Sequence, residues 1–327
     1  MRYLRRVVLD IGLVFPGQGS QFVGMGKFLY ENFPVAKHTF EEASDTLSLN
    51  FKKLCFEGPE SDLTLTSNTQ PALLVASIAL DRVLKKVIPL KPRLAAGHSL
   101  GEYSALVSAE AISFLEALRA VRLRGEFMQD AVPVGNGAML VVMGLNPDEV
   151  ITLCEWVCRE SALGPLSPAN YNAPGQIVIS GTSAATEWLK TNFSAERSGI
   201  NSRPKFIALK VSAPFHCSLM KPAQDKMGPV LQNMSFSEPI FPIVQNVTAL
   251  ATDLPQELRK NLIAQVSAPV KWMQSVAVMA DAQITKLIEV GPGKVLAGLV
   301  KKIDSERLTT INVLSLEDIH ALEKQFT

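Results

Sequence analysis

The sequence predicts an α/β protein that has a large domain with a mostly parallel sheet and a smaller inserted domain. The large sheet is predicted because short apolar segments alternate with helical segments on both sides of a central stretch. The insert is predicted because that central stretch has a different order, β-α-β-β-α-β. We therefore expect a large domain built from residues 1–136 and 208–327, interrupted by a small domain at 137–207.

The first part of the large domain starts with a buried strand. Ile11–Phe15 is short and apolar, and the glycine-rich loop Pro16–Gln21 follows it. Asn68–Pro71 then introduces a long amphipathic helix from Ala72 to about Val87, with its proline at the start, where a missing N–H costs nothing. A further helix is expected from about Phe114 to Ala131.

The insert is expected to be a ferredoxin-like unit, after which the large domain resumes. The expected elements of the insert are Ala138–Gly144, Pro147–Glu160, Ala169–Asn172, Gln176–Ser180, Ser183–Asn192 and Lys205–Val211. Those of the second part of the large domain are Pro222–Met234, Phe241–Val244, Pro255–Val266, Val270–Ala282, Ile284–Val290 and Lys294–Ile303. The alternation of strands and helices predicts a sheet covered on both faces.

Composition limits the possible partners. The 327 residues carry a net charge of +1 and are 47% hydrophobic, which supports a large core and gives no reason to expect nucleic acid or an anionic membrane as a partner. No apolar run has the length of a membrane span. Asp10 interrupts the apolar stretch near the N-terminus, so Met1–Arg6 is interpreted as a basic tail leading into the first strand.

Four cysteines are present, and none of them predicts a metal site. Cys154 and Cys158 share one face of a predicted helix, but no histidine or second cysteine pair lies near them in the sequence. We therefore expect core thiols in a reducing, cytoplasmic setting, with no metal and no cofactor.

The segment Gly97–Gly101 fits the pattern G-x-S-x-G of a nucleophile elbow, which is typical of an α/β-hydrolase-like sheet. In such an elbow a strand turns sharply into a helix, and glycines on either side of the serine avoid collisions. The pattern predicts that the Oγ of Ser99 is exposed at a helix N-terminus, where free N–H groups favour a developing oxyanion.

A serine nucleophile needs a base, and only four histidines are available. His38 and His320 lie in ordinary contexts, and His98 is expected to point away from the elbow. His216 lies where an apolar strand ends and a helix begins, the position at which catalytic groups collect in open α/β sheets. His216 is therefore the favoured base, while no acidic residue is singled out to orient it.

Several ordered segments resemble the malonyl-CoA:acyl carrier protein transacylases of type II fatty acid synthesis. These segments are Phe15–Gln21, Gly97–Leu106, Met128–Gln129, Ala213–Met220, Gln245–Thr248 and Glu289–Leu296. The resemblance extends from about Gly12 to Ile303. It implies transfer of a malonyl group from malonyl-CoA to the phosphopantetheine thiol of acyl carrier protein, in a ping-pong reaction through an ester on Ser99.

The resemblance also implies roles for residues around the serine. His216 would be the general base and acid, oriented by the main-chain carbonyl of Gln265, although the run between Gln265 and the next proline departs from the usual family pattern. The backbone N–H groups of Gln18 and Leu100 would form the oxyanion hole, which explains the glycines beside Gln18.

Two further residues would select the acyl group. Arg124 matches the family arginine that binds the free carboxylate of malonate, whereas Arg119 and Arg122 are interpreted as solvated helix residues. Phe215 is interpreted either as a size gate against branched malonyl units or as core packing. A basic rim for the acidic carrier protein is expected among Arg203, Lys205, Lys210, Lys301 and Lys302.

Alternative functions share these motifs. A stand-alone acyltransferase or a proofreading acyl hydrolase of a polyketide assembly line would carry the same nucleophile and base. A catalytically dead scaffold that binds carrier proteins is disfavoured, because all the expected site residues are present. A monomer is expected.

Overall fold

The computed structural model describes residues 10–326, which form two β-sheets surrounded by helices. The predicted basic tail at Met1–Arg6 lies outside the described residues. The strands are β1 (Ile11–Phe15), β2 (Leu94–Gly97), β3 (Gly137–Met143), β4 (Leu166–Ala173), β5 (Gln176–Thr182), β6 (Lys205–Ala208), β7 (Ile243–Val244), β8 (Ala251–Thr252), β9 (Lys286–Glu289) and β10 (Thr309–Asn312). The helices are α1 (Lys27–Asn32), α2 (Pro34–Leu47), α3 (Glu60–Leu63), α4 (Thr66–Val87), α5 (Gly101–Ser108), α6 (Phe114–Asp130), α7 (Pro147–Ser161), α8 (Ser183–Asn192), α9 (Ala195–Ser198), α10 (Lys221–Gln232), α11 (Pro255–Ala264), α12 (Trp272–Asp281), α13 (Val295–Asp304) and α14 (Leu316–Phe326).

The larger sheet has the strand order β10-β9-β1-β2-β7-β8. All neighbouring strands run parallel except β7 and β8, so the predicted mostly parallel sheet is confirmed. In β1, Leu13 and Phe15 belong to the core formed with α4, α5 and α6, whereas Val14 belongs to the core formed with α12 and α13. Because both faces of the strand are covered, its sequence is apolar throughout rather than alternating.

Helix α4 begins at Thr66, six residues before the predicted start at Ala72, so the prediction was wrong at this end. Pro71 therefore lies inside the helix, where it cannot donate a hydrogen bond to the carbonyl of Ser67. The guanidinium of Arg122 on α6 donates to that carbonyl instead, at 3.0 Å. Arg122 is half-buried and is not the solvated residue that we expected.

The second sheet is antiparallel, with the order β4-β5-β3-β6, and it has its own core. Helices α7 and α8 cover it, and Trp156 and Leu189 are buried between helices and sheet. Strand β4 also contacts the larger part of the molecule, because the main-chain N–H of Tyr171 donates to the carbonyl of Val270 at 2.9 Å. This contact brings one edge of the smaller sheet beside the C-terminal end of β2.

Several element ends differ from the predictions. Strand β6 ends at Ala208 rather than Val211, and Leu209 and Val211 beyond its end line a cavity. Strand β10 and helix α14 were not predicted, since Thr309–Asn312 is a partly exposed edge strand with little apolar character.

Among residues 10–326, no helix is long and apolar enough to cross a membrane.

Candidate active site

The turn between β2 and α5 holds Ser99 in a left-handed backbone conformation, with a φ of 52°. A Cβ on Gly97 would lie 1.9 Å from the carbonyl carbon of Gly101, and a Cβ on Gly101 would lie 2.0 Å from the carbonyl oxygen of Phe15. Both positions therefore require glycine, as the elbow pattern predicts.

The imidazole of His216 contacts the serine hydroxyl directly. Ser99 Oγ lies 2.7 Å from His216 Nε2, and His216 Nδ1 lies 3.0 Å from the main-chain carbonyl oxygen of Gln265 and 3.2 Å from that of Ala268. Because a carbonyl oxygen only accepts, the Nδ1 atom carries the proton, and Nε2 is free to accept the hydroxyl proton of Ser99. Carbonyl groups thus occupy the place that a carboxylate takes in a hydrolase triad.

The protonation state of His216 suits a base. Burial, reinforced by the positive charge of Arg124, lowers the pKa of His216 from 6.5 to about 3. The hydrogen bond to the Gln265 carbonyl opposes this shift only in part. The imidazole is therefore neutral at pH 7.

Arg124 places a buried positive charge beside the hydroxyl of Ser99. Its side chain is 1% exposed, and it donates to Gln70 Oε1 at 2.7 Å, to Gln265 Oε1 at 3.0 Å and to Ser99 Oγ at 3.1 Å. All of these acceptors are neutral, and its Nε has no partner. A guanidinium without a bonded carboxylate in a closed site is a binding site for an anion.

One cavity of about 90 Å³ is lined by all of the predicted site residues except Gln265. It is lined by Gln18, Gln70, His98, Ser99, Leu100, Arg124, Met128, Met139, Asn170, Leu209, Val211, Phe215 and His216. The volume is that of roughly three liquid waters, which suits a short acyl group. Gln18 in the loop after β1 and Leu100 in the turn after β2 both border it, and so does Phe215, the neighbour of His216 in the sequence.

Comparisons with known proteins show which family the chain belongs to. A model of the acyl transferase domain family matches residues 13–315. A malonyl CoA-acyl carrier protein transacylase of Bacillus subtilis is 45% identical over 309 residues, which is 94% of this chain and 95% of that protein. The chain belongs to the malonyl CoA-acyl carrier protein transacylase family.

Other members are also similar in sequence and in structure. The transacylase of Salmonella typhimurium is 43% identical, over 97% of this chain and 99% of that protein. The solved transacylase of Coxiella burnetii superposes with a TM-score of 0.91 at 36% identity, covering 98% of both chains. A malonyl-transacylase solved in complex with a type II PKS acyl-carrier protein superposes with a TM-score of 0.90 at 41% identity, covering 97% of this chain and 99% of that one.

The sequence did not predict the buried polar residues Glu102 and Asn246, which lie beneath the elbow of this transacylase. Glu102 is fully buried and accepts hydrogen bonds from the Asn246 main chain at 2.9 Å and from Gln265 Nε2 at 3.0 Å. The Asn246 side chain contacts both Gly97 and Ser99. The available signal was a run of polar residues, Gln245 and Asn246, directly after an apolar strand.

His98 was expected to point away from the elbow, and the structure agrees only in part. Its Nε2 lies 2.8 Å from Asn172 Oδ1 on β4 and its ring packs on Trp272, so it points away from His216, but it still borders the cavity.

The four cysteines are free thiols. The described part of the chain contains no cluster of three or more histidine, cysteine, aspartate or glutamate side chains that could hold a metal ion.

Proposed function

We propose that this transacylase transfers the malonyl group from malonyl-CoA to the phosphopantetheine thiol of acyl carrier protein, which supplies fatty acid chain elongation. One observation carries the proposal: the hydroxyl of Ser99 lies between the neutral base His216, at 2.7 Å, and the guanidinium of Arg124, at 3.1 Å. A nucleophile flanked by a base and by an unpaired cation suits an acyl group that ends in a carboxylate.

In the first half-reaction, Ser99 Oγ attacks the thioester carbon of malonyl-CoA while His216 Nε2 takes the hydroxyl proton. The carbon–oxygen bond forms, the thioester carbonyl becomes an oxyanion, and the carbon–sulfur bond then breaks. The departing sulfur takes the proton from the imidazolium and leaves as the free thiol of CoA. The products are a malonyl ester on Ser99 and a neutral His216.

In the second half-reaction, the phosphopantetheine thiol gives its proton to His216 and attacks the ester carbon. The carbon–oxygen bond to Ser99 breaks, and the imidazolium returns the proton to the serine oxygen. The malonyl group leaves as a thioester on the carrier protein, so the enzyme is regenerated with its original protons.

The oxyanion of both steps is proposed to bind the main-chain N–H groups of Gln18 and Leu100. Both residues border the cavity beside Ser99, and Leu100 is the N-cap residue of α5, at the helix end whose dipole favours a negative charge. The N–H of Ser99 itself is engaged by Asn246 Oδ1 at 2.7 Å and cannot contribute.

Arg124 is proposed to bind the free carboxylate of the malonyl group through two charge-assisted hydrogen bonds. A neutral acyl group would leave the guanidinium buried without a counter-charge, which disfavours acetyl transfer. Phe215 is proposed to limit the size of the acyl group, because it is 7% exposed and borders the same cavity.

The surroundings of the site support further proposals. The acidic carrier protein is proposed to approach over Lys205 and Lys210, which are exposed beside the cavity-lining Leu209. Three other cations of the expected rim are also exposed: Arg203, Lys301 and Lys302. Lys302 donates to Gln176 at 2.8 Å, so it links α13 to the smaller sheet as well.

The domain division is proposed as residues 1–136 and 208–327 for the large, α/β-hydrolase-like part and 137–207 for the insert. The strand order β4-β5-β3-β6 with two covering helices supports a ferredoxin-like insert. The free cysteines support a cytoplasmic setting. A monomer is the proposed state. No observation favours the alternative of a stand-alone acyltransferase or proofreading acyl hydrolase of a polyketide assembly line.

The direct test is intact-protein mass spectrometry after incubation with malonyl-CoA. The wild-type protein is expected to gain one malonyl group and to lose it when holo acyl carrier protein is added. Ser99→Ala is expected to gain none, because it has no Oγ. A malonyl adduct on Ser99→Ala, or none on the wild type, would overturn the proposal.

A further inference from the structure

Asn246 lies in the turn after β7 and contacts the elbow from the neighbouring strand. It is fully buried, yet its side chain does not reach the cavity. Its Oδ1 accepts from the main-chain N–H of Ser99 at 2.7 Å, and its Nδ2 donates to the carbonyl of Gly97 at 2.6 Å. One amide group therefore forms hydrogen bonds with the backbone of both Gly97 and Ser99.

Other contacts fix the orientation of this amide. Gln265 Nε2 also donates to Asn246 Oδ1, at 3.2 Å, and the main-chain N–H of Asn246 donates to the Glu102 carboxylate at 2.9 Å. Because both partners of Oδ1 are donors and the Gly97 carbonyl only accepts, a flipped amide would lose all three side-chain bonds. The Asn246 amide is thus held in the one orientation in which Oδ1 faces the Ser99 N–H and Nδ2 faces the Gly97 carbonyl.

The backbone that this amide holds is strained. A non-glycine residue with a φ of 52° costs of the order of 1 kcal/mol or more and persists only where its surroundings impose it. If Ser99 relaxed to a negative φ, its Oγ would move away from His216 Nε2. A displacement of about 1 Å at a reacting atom can cost on the order of 10²-fold in rate.

We propose that Asn246 is a positioning residue that holds the Ser99 backbone in its strained conformation and so keeps Oγ against His216. The inference rests on the proposed function, since it requires Ser99 to be the nucleophile. Asn246 contacts neither the acyl group nor the base, so its removal should lower the rate of attack and leave acyl selectivity unchanged.

The test compares Asn246→Ala with Asn261→Ala in the full-length protein. Asn261 is also buried and donates to Gln245 at 2.8 Å in the same polar region, but it does not contact the elbow. Both variants lose a buried amide, so a purely structural role predicts the same outcome for both. Thermal unfolding confirms that each is folded at the assay temperature.

Two rates are measured for each variant. The first is malonyl transfer to holo acyl carrier protein, separated into kcat and KM. The second is inactivation by methanesulfonyl fluoride, in which Ser99 Oγ attacks sulfur, fluoride leaves and His216 accepts the proton. The second rate reports the nucleophile alone, because the reagent carries no carboxylate and no CoA.

Asn246→Ala is expected to lower kcat and the inactivation rate together by about 10²-fold, with KM and the malonyl-to-acetyl preference changed less than threefold. Asn261→Ala is expected to retain both rates within about threefold. Equal rates in folded Asn246→Ala and the wild type would overturn the inference. If Asn246→Ala does not fold, Asn246→Leu serves, because it fills the space of the amide but can bond to neither the Ser99 N–H nor the Gly97 carbonyl; an unchanged inactivation rate there would also overturn the inference.

Failure of the proposed function gives a different pattern. A wild-type protein that reacts with methanesulfonyl fluoride but transfers no malonyl group would refute the function and leave the positioning role to be judged by the inactivation rates.

Discussion

The polar groups below Ser99 and those in the cavity above it are arranged in opposite ways. Below the elbow, Glu102, Asn246 and Gln265 bond to one another and to the backbone. In the cavity, Arg124 has only neutral acceptors and its Nε has no partner. The satisfied groups form a fixed frame, whereas the unsatisfied cation is available to an incoming anion.

The largest expected effect comes from removing the base that joins the two regions. His216→Ala should lower kcat by about 10⁴-fold, because the Ser99 hydroxyl then has no acceptor for its proton. His38→Ala, which changes an exposed histidine on α2, is the control and should transfer malonyl at the wild-type rate. Steady-state transfer of radiolabelled malonyl measures both, and a loss of less than tenfold in His216→Ala would contradict the assigned base.

The next effect concerns the unpaired cation of the cavity. Arg124→Ala should lower kcat/KM for malonyl-CoA by about 10²-fold or more, because two charge-assisted hydrogen bonds to the carboxylate are lost. The value for acetyl-CoA should stay the same or rise. Arg119→Ala, which removes an exposed arginine from the same helix, should change neither. An unchanged malonyl-to-acetyl ratio in Arg124→Ala would place the selective group elsewhere.

The frame below the elbow is expected to limit stability. Burial raises the pKa of Glu102 from 4.5 to about 7, although its hydrogen bonds and the charge of Arg124 oppose the shift. The folded state therefore binds this proton more tightly than the unfolded state, and the free energy of unfolding falls as pH rises from about 4.5 to 7. The loss is at most about 3.5 kcal/mol, at roughly 1.4 kcal/mol per pKa unit.

Glu102→Gln should remove this loss, so its stability relative to the wild type should rise between pH 5 and pH 8. His216 contributes in the opposite direction, because a lowered pKa reduces stability as pH falls from 6.5 towards 3, and this contribution is common to both proteins. Urea unfolding at several pH values measures the difference.

Glu116, whose pKa is lowered mainly by its bond from Ser113, supplies the contrast, since Glu116→Gln should lose stability above its unfolded pKa. A stability difference between Glu102→Gln and the wild type that does not change with pH would contradict the shift.

The smallest effect is expected at the wall of the cavity. Phe215→Ala should raise kcat/KM for methylmalonyl-CoA by about tenfold relative to malonyl-CoA, which is the range for one added methyl group in an apolar pocket. The measurement is a competition between the two thioesters. If the ratio does not move, Phe215 serves only core packing.

Local features of the site were readable from the sequence, whereas the frame was not. The elbow is set by short-range sterics, so Gly97, Ser99 and Gly101 predicted it, and elimination among four histidines predicted His216. Asn246 and Ser99 are 147 residues apart, and only the strand order brings them together. The polar run at Gln245 and Asn246 marks the segment as unusual, but it does not tell which part of the chain these side chains contact.

Helix α6 illustrates a second limit. Residues 119, 122 and 124 are all arginines, and the sequence alone does not say which of them faces the cavity. The structure leaves Arg119 exposed, places Arg122 against the carbonyl that Pro71 cannot satisfy, and buries Arg124. The choice of Arg124 depended on the family resemblance. The early start of α4 was missed because proline is favoured in the first turn of a helix, so Pro71 was interpreted as the helix start. The donor that replaces its missing N–H comes from another helix.

The most direct test of the account is a crystal structure of the His216→Ala protein, or of the wild type at low temperature, after soaking with malonyl-CoA. We expect the malonyl group in the cavity with its carboxylate on the guanidinium of Arg124 and its thioester or ester carbon at Ser99 Oγ, while Asn246 and Glu102 keep their present contacts. A malonyl carboxylate bound away from Arg124, with that guanidinium still held only by Gln70 and Gln265, would contradict it.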